Sequence, residues 1–548
     1  MDMFGLFTAS VWLPVISVVL GLLLYYYGWV KLPINEFKQY GIETDTGKLP
    51  FIGNGWKLFT EGVMNHDRRL YNKFKDNKIY GSVFNGKPNI MVLDLDLIKS
   101  VIIKQAGTVF TNKTASFGST NKVTAKMITL LRDDHWKHVR SMLTPAFSSG
   151  KMRKMKSLIQ EGARNLVENF SRHEQENKPV QMKNAFGCFS MDVTVSTIFG
   201  LQVNSLIDPD HQIVTNTKTL MSSFRGIRVF LLFLLPSLFR FLAHFGIVEI
   251  FPRRIIDYYK KLLDHAIEER KDNQDQVLRN LPIIPRCYCC NRPVASEDLA
   301  GVTSGKDPHA DLLQLMVQSH VSDDQVDRET NNMKWSSTGL LSDEILAQSF
   351  IFIVAGYENI SNYMTYVAYC LALNPDVQDR LIDDIHRIIG KQVPDYDNVR
   401  KIEYLEMVMN ESARIHTLAP RLSREVSETT EIDGILFKKG WSVSVPVYAI
   451  HMDPEIWPDP DKFDPERFTA ENSRDRHPCS YIPFGIGPRH CIAQRLSLFE
   501  AKVALVSILQ DFKFIPCDET PIPLLKDPLG RPQKPVVLRL ERISRVIE

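Results

Sequence analysis

Between Met3 and Val30 the chain has no charged residue, although Asp, Glu, Lys and Arg make up 24% of its 548 residues. Such a stretch is not an ordinary water-facing segment. It also lacks a basic residue ahead of it and a clear small-residue cleavage site after it, which argues against a cleaved signal peptide. Charge of one sign is scarce overall: 66 basic against 64 acidic residues leave +2, without the basic surplus of a nucleic-acid binder. No Pro/Gly/Ser-rich linker divides the chain and no internal repeat is found. Length alone would suggest roughly three or four domains, but nothing marks their boundaries. Cysteine is sparse, with 8 in the chain. Cys287, Cys289 and Cys290 have no second Cys or His pair at finger-like spacing, so residues 279–307 read as an exposed insertion rather than a zinc site.

What is present begins with the apolar run Val11 to Val30, about the 20 residues that span a bilayer as a helix. Tyr25, Tyr26, Tyr27 and Trp29 sit at one end, as an interfacial aromatic belt would. Lys31 and Lys38 flank that end, which predicts a retained single-pass anchor with the remainder facing the cytosol. Residues 1–44 are therefore read as anchor and linker, and 45–548 as one catalytic domain. In a cytosolic domain the cysteines stay reduced.

The most pointed pattern is Pro483-Phe484-Gly485-Ile486-Gly487-Pro488-Arg489-His490-Cys491-Ile492-Ala493. Two glycines let the backbone turn tightly against a flat group, where a Cβ would collide. Arg489 is spaced to reach an anion. Cys491 opens a helix, whose free N–H groups and partial positive charge favour a thiolate. With Phe484, Gly487, Arg489, Cys491 and Ala493 at these spacings, the chain resembles the cytochrome P450 family over roughly residues 45 to 545. The resemblance implies haem b as cofactor, with Cys491 as the iron ligand that favours O–O cleavage.

Three further motifs agree with the resemblance. Glu411 and Arg414 lie at i, i+3 on one helix face and can pair. In the family, the counterpart of Arg467 in Pro465-Glu466-Arg467-Phe468 joins them to brace the haem, as structural support. Trp136 and Arg140, at i, i+4, resemble the family's propionate donors, with Arg424 as a third candidate. Finally, Ala355-Gly356-Tyr357-Glu358-Asn359-Ile360-Ser361 resembles the oxygen-activating helix, with Glu358 and Asn359 as catalytic candidates. Small Ala355 and Gly356 would open a groove for dioxygen, and Glu358 would relay protons through water. Asn359 departs from the threonine usual in the family's monooxygenases.

The resemblance implies a microsomal monooxygenase of the endoplasmic reticulum membrane. It would insert one atom of O2 into a lipophilic substrate, a steroid, fatty acid or xenobiotic, with electrons from NADPH-cytochrome P450 reductase and cytochrome b5 as a further donor. Ala-Gly-Tyr-Glu resembles the clan of family-3 monooxygenases and thromboxane synthase. The latter also lacks the threonine, so an endoperoxide isomerase needing neither O2 nor NADPH is the alternative; a non-catalytic haem-thiolate sensor or carrier is a third reading.

Periodicity predicts a mainly α fold with small β-sheets. Helices are expected over Asp133 to Leu143, Lys151 to His173, Ser190 to Phe199 and, longest, Ser342 to Leu373, where Asn374-Pro375 stops the pattern. Strands are expected at Tyr80 to Phe84, Asn89 to Leu93 and Ser442 to Val445, the last ended or pushed to a sheet edge by Pro446. By resemblance, Ser116 to Lys126, Val229 to Phe251, Phe352 to Asn359 and Leu418 to Leu422 face substrate. Val229 to Phe251 is apolar enough to dip into a membrane. Lys151, Arg153, Lys154 and Lys156 form a basic patch to which an acidic reductase would be steered.

Overall fold

A computed structural model describes residues 15–24, 32–45, 55–84, 87–114, 122–199, 203–208, 210–223, 251–265, 312–330, 333–527 and 530–543, with isolated positions between 239 and 248. The elements that matter for the site are, in chain order, β1 (Ile79–Phe84), β2 (Lys87–Val92), α1 (Asp133–Leu143), α2 (Lys156–Gln175), α3 (Met182–Phe199), α4 (Ser342–Ala355), α5 (Ser361–Leu373), α6 (Glu403–Ile415), β3 (Leu422–Glu425), β4 (Ser442–Val445) and α7 (Gln494–Leu509).

Helix α1 has the expected bounds because it is clearly amphipathic: His135, Trp136, Val139 and Leu143 are buried on one face, and Asp133 and Asp134 sit in its first turn. The helix expected from Lys151 is two, Ser149–Lys154 and α2, broken at Met155. Helix α3 begins at Met182 rather than Ser190, since it is buried on nearly all sides and so carries no apolar stripe to mark its start. The long helix runs through as expected, but α4 passes into α5 through a π-helical turn, Gly356–Ile360. Such a turn leaves part of the backbone ladder open and recurs at functional sites.

One sheet has the order β1-β2-β4-β3, with β4 parallel to β2 and antiparallel to β3. Of the two expectations for Ser442–Val445, the strand does end at Pro446, and it lies inside the sheet rather than at its edge. Pro446 does not interfere, because pairing already ends at Val445 opposite Leu422. The turn at Glu431 to Gly434 closes a hairpin of Thr430–Ile432 on Ile435–Phe437, with Asp433 and Gly434 both at positive φ, as a two-residue hairpin turn demands.

Three apolar clusters hold these elements. The largest joins α2, α3, α5, α6 and α7 through Phe170, Phe186, Met364, Leu405 and Leu505. A second joins α1, α3 and α4 through Trp136, Val195 and Phe350, and a third surrounds the sheet.

Residues 15–24 are helical and exposed, Val18 at 62% and Leu24 at 66%. Among the described residues no helix is long and apolar enough to cross a membrane; the rest of the expected anchor, and the insertion at 279–307 with its cysteines, lie outside them. Cys188, Cys370, Cys479, Cys491 and Cys517 are free thiols. Of the apolar run 229–251, Phe239 is buried, whereas Phe241 and Phe245 are exposed with their rings in edge contact.

Candidate active site

The cysteine loop is held from within: the Cys491 N–H donates to the Phe484 carbonyl at 2.9 Å. Gly485 and Gly487 both have positive φ. Their roles differ, because a Cβ on Gly487 would lie 2.2 Å from the Ile102 carbonyl oxygen, whereas one on Gly485 would meet nothing closer than 3.7 Å. The tighter glycine is therefore dictated by neighbouring backbone. Burial raises the Cys491 thiol above its ordinary value, against the N–H groups of Ala493 and Gln494 and the charges of Arg140 and Lys113. A bound metal ion would deprotonate such a thiol outright.

Cys491 opens into a cavity of about 400 Å³. Phe484, Ala493 and Leu496 line it beside the sulfur; Phe352, Ala355, Gly356 and Asn359 line it from α4 and the π turn, with Leu418, Ala419 and Leu422 alongside. Two of the four segments expected to face substrate therefore do line the cavity.

Lys113, Arg140, Arg424 and Arg489 line the same cavity, with Trp136 among them. Arg424 is 2% exposed, its Nη1 donates to the Ser423 carbonyl at 2.8 Å, and its Nε has no partner among the described residues. Burial pushes Arg424 down to about 10 and Lys113 down to about 8, the latter helped by Arg424 and Arg489. Buried, mutually repelling cations with an orphaned donor require an anionic ligand. A group with two carboxylates, such as the propionates of haem, fits this set. Arg489, expected to reach an anion, lines the cavity and has a second role. Its guanidinium donates to the Thr111 and Leu131 carbonyls, each at 2.9 Å, and lies 3.7 Å over the Trp136 ring, so it braces the indole. Arg140 donates to the His490 carbonyl at 3.1 Å, tying α1 to the cysteine loop.

Lys113 has a measurable consequence. An anion raises its pKa, so anion uptake above about pH 8 takes up a proton, and affinity falls as pH rises through that value. Iron binding releases the Cys491 proton and so favours haem uptake as pH rises, while Lys113 opposes that rise. The affinity of the haem-free protein for haem is therefore expected to climb more steeply from pH 7 to pH 9 in Lys113→Met than in wild type; equal slopes would remove Lys113 from the anion site.

On α4 and its π turn, Asn359 faces the cavity and its side chain makes no hydrogen bond with the described residues. Glu358 does not line the cavity. Its carboxylate accepts from Lys183 Nζ at 2.7 Å and Asn362 Nδ2 at 3.0 Å. Burial would raise this carboxyl, but Lys183 and Asn362 outweigh that and hold it below its ordinary value. It is an ionised, paired carboxylate.

The expected brace is present as geometry. Glu411 and Arg414 are fully buried and pair at 2.7 and 2.8 Å, while Arg467 Nε lies 3.3 Å from Glu411 Oε1. That last contact is one of charge, since Arg467 Nε makes no aligned hydrogen bond. Arg414 also donates to the carbonyls of His451 and Pro460, and Glu411 accepts the Asp464 N–H.

Two of the four basic-patch residues are neutralised: Arg153 pairs with Asp397 and Lys156 with Asp395, both at 2.9 Å. Sequence reading missed Lys113, Lys183 and the buried Glu500, whose carboxyl burial pushes up to about 8 on the cavity wall. Only Glu500 carried a signal, being a lone carboxylate in an apolar helix.

The family described as Cytochrome P450 matches residues 45–540. Among curated relatives, Cytochrome P450 3A9 of Rattus norvegicus is 36% identical over 548 residues, covering 98% of each chain. Cytochrome P450 3A7 of Homo sapiens is 36% identical over 548 residues, covering 99% of this chain and 98% of its own. Cytochrome P450 3A29 of Sus scrofa is 35% identical over a similar span. Likeness carried from end to end, rather than on the cysteine loop alone, places this chain in the cytochrome P450 family of haem-thiolate monooxygenases.

Proposed function

We propose that the protein binds haem b through the Cys491 sulfur and inserts one atom of O2 into a lipophilic substrate, a steroid, fatty acid or xenobiotic. The bound haem would supply oxygen activation, with the thiolate favouring O–O cleavage. Substrate, O2, NADPH and one proton would give hydroxylated product, water and NADP+. The observation that carries this reading is one cavity that joins a thiol, an anion-seeking set of cations and an apolar wall broken by a π turn.

In this reading Lys113, Trp136, Arg140 and Arg424 hold the propionates, while Arg489 fixes Trp136. Phe352, Leu418 and Leu422 exclude water and favour an apolar substrate. Glu358 keeps a charge and an ordered pair with Lys183 behind the turn, from which water could be protonated. The residues before 45 would anchor the enzyme in the endoplasmic reticulum membrane with the catalytic domain cytosolic. NADPH-cytochrome P450 reductase, and cytochrome b5 as a second donor, would dock where Lys151 and Lys154 remain without carboxylate partners among the described residues.

The test is NADPH and O2 consumption by the reductase-reconstituted protein, with candidates chosen from binding-difference spectra across steroids, fatty acids, xenobiotics and eicosanoids. Hydroxylated product in step with NADPH is expected. Asn359 favours a second reading, an endoperoxide isomerase, because an isomerase needs no proton delivery to oxygen. Turnover of a prostaglandin endoperoxide without NADPH, and no NADPH-dependent hydroxylation of any candidate, would establish that reading instead.

A further inference from the structure

The hydroxyl absent at position 359 is present one helix away. Thr194 on α3 packs against the π turn, with its Oγ1 2.6 Å from where a Cβ on Gly356 would stand. Thr194, Gly356 and Asn359 line the same cavity. A Cβ at 356 would force the Thr194 side chain to shift.

Other hydroxyls on this helix are used. Ser190 Oγ donates to the Gly356 carbonyl at 2.9 Å, filling a backbone acceptor at the π turn. Ser196 and Thr197 donate back to the carbonyls of Asp192 and Val193 at 2.7 and 2.8 Å. The Thr194 carbonyl accepts from Thr197 at 3.2 Å, yet its hydroxyl has no partner among the described residues, although the residue is only 6% exposed. The hydroxyl is not sealed in the core but opens on the cavity, where valine would fill the same volume without a polar group to satisfy. The hydroxyl therefore calls for a partner from the cavity, and a water is the smallest that fits a polar recess.

We propose that Thr194 provides, from α3, the hydroxyl that orders proton-delivering water in the groove of the π turn, in place of the threonine missing at 359. This inference rests on the monooxygenase reading. A hydroxyl accepts from one water and donates its own O–H to the next, so a proton moves through it and the side chain ends unchanged. Asn359 contributes fixed amide donors and an acceptor on the other side of the groove. When protons reach the wrong oxygen, electrons are lost as peroxide: NADPH, O2 and a proton give NADP+ and H2O2, with no substrate consumed. Thr194 is a positioning residue in this scheme.

The experiment compares Thr194→Val, Thr194→Ser and Thr194→Val with Asn359→Thr in the full-length, reductase-reconstituted holoprotein. Thr194→Val should keep the thiolate-type carbonyl absorption and substrate affinity. Its ratio of product to NADPH should fall on the order of tenfold, short of the ~10²–10⁴ cost of a lost acid or base because Asn359 remains. Peroxide should rise to match. Thr194→Ser should restore coupling, and adding Asn359→Thr to the valine variant should recover most of it. Independently of turnover, the C–O stretching band of the reduced, carbon monoxide-treated protein should shift in Thr194→Val and not in Thr194→Ser. Unchanged coupling and an unmoved band in Thr194→Val, with a coupled wild type, would overturn this inference alone. A wild type that consumes no NADPH would overturn the monooxygenase reading and this inference with it.

Discussion

Replacing Cys491 with alanine is expected to abolish the thiolate-type carbonyl absorption of the reduced protein, and with it all NADPH-supported product formation. None of the other free thiols, Cys188, Cys370, Cys479 and Cys517, lines the cavity, so no other described thiol can supply the thiolate. The fold should survive. The loop is fixed by backbone, through the Cys491 N–H to the Phe484 carbonyl and by the close approach of Gly487 to Ile102, and neither depends on the sulfur. Removing one buried side-chain atom costs on the order of 1 kcal/mol. Circular dichroism of Cys491→Ala should therefore match wild type while the carbonyl band is missing. Cys491→Ser should also lose the band, because a hydroxyl is a far weaker acid and a poorer electron donor to iron. Survival of the band in Cys491→Ala would refute the ligand assignment.

Glu411→Ala should produce the largest loss of stability of any single change considered. Glu411 lies fully buried between Arg414 and Arg467 and also accepts the Asp464 N–H. Its removal leaves two guanidiniums beside each other with no counter-charge, and breaking a buried pair in this way costs about 3–5 kcal/mol. Set against a total stability of about 5–15 kcal/mol, that is enough to deplete the folded protein at working temperature. The expected result is little haem-loaded protein from expression and a thermal midpoint lowered by about 3–5 °C in what is recovered. Arg467→Ala should be milder. Arg467 touches Glu411 only by charge, and it also donates to the Asp459 carbonyl at the protein edge. Arg414→Ala should approach Glu411→Ala, since Arg414 also holds the His451 and Pro460 carbonyls. Equal midpoints for all three variants would show that the cluster does not act as a charge-balanced unit.

Features whose physics is local are legible in the sequence. The cysteine loop needs two positive-φ residues shortly before a helix-opening thiol, and glycine spacing announces that. Helix α1 can be delimited because one face is apolar and the other is not. Helix α3 cannot, because burial on all sides erases the stripe, and so the start of the helix that carries Lys183, Ser190 and Thr194 is missed. The place of β4 inside its sheet is also hidden, since the strand tells its partners only by pairing. Of the anion-binding set, Trp136, Arg140 and Arg424 come from resemblance. Lys113 has no local signal, as one lysine in a polar stretch is indistinguishable from a solvated one.

The sequence by itself determined that a thiol would stand at the mouth of a helix, that a carboxylate and a guanidinium would share a face of α6, and that position 359 would lack a hydroxyl. Each follows from residue type and spacing along one element. Tertiary structure alone decided the rest: that Arg489 braces Trp136, that Lys183 pairs with Glu358, and that Thr194 places a hydroxyl beside the π turn. Those contacts join residues far apart in the chain. Their strength depends on burial and on the direction of side chains across packed helices, quantities that no stretch of sequence carries alone.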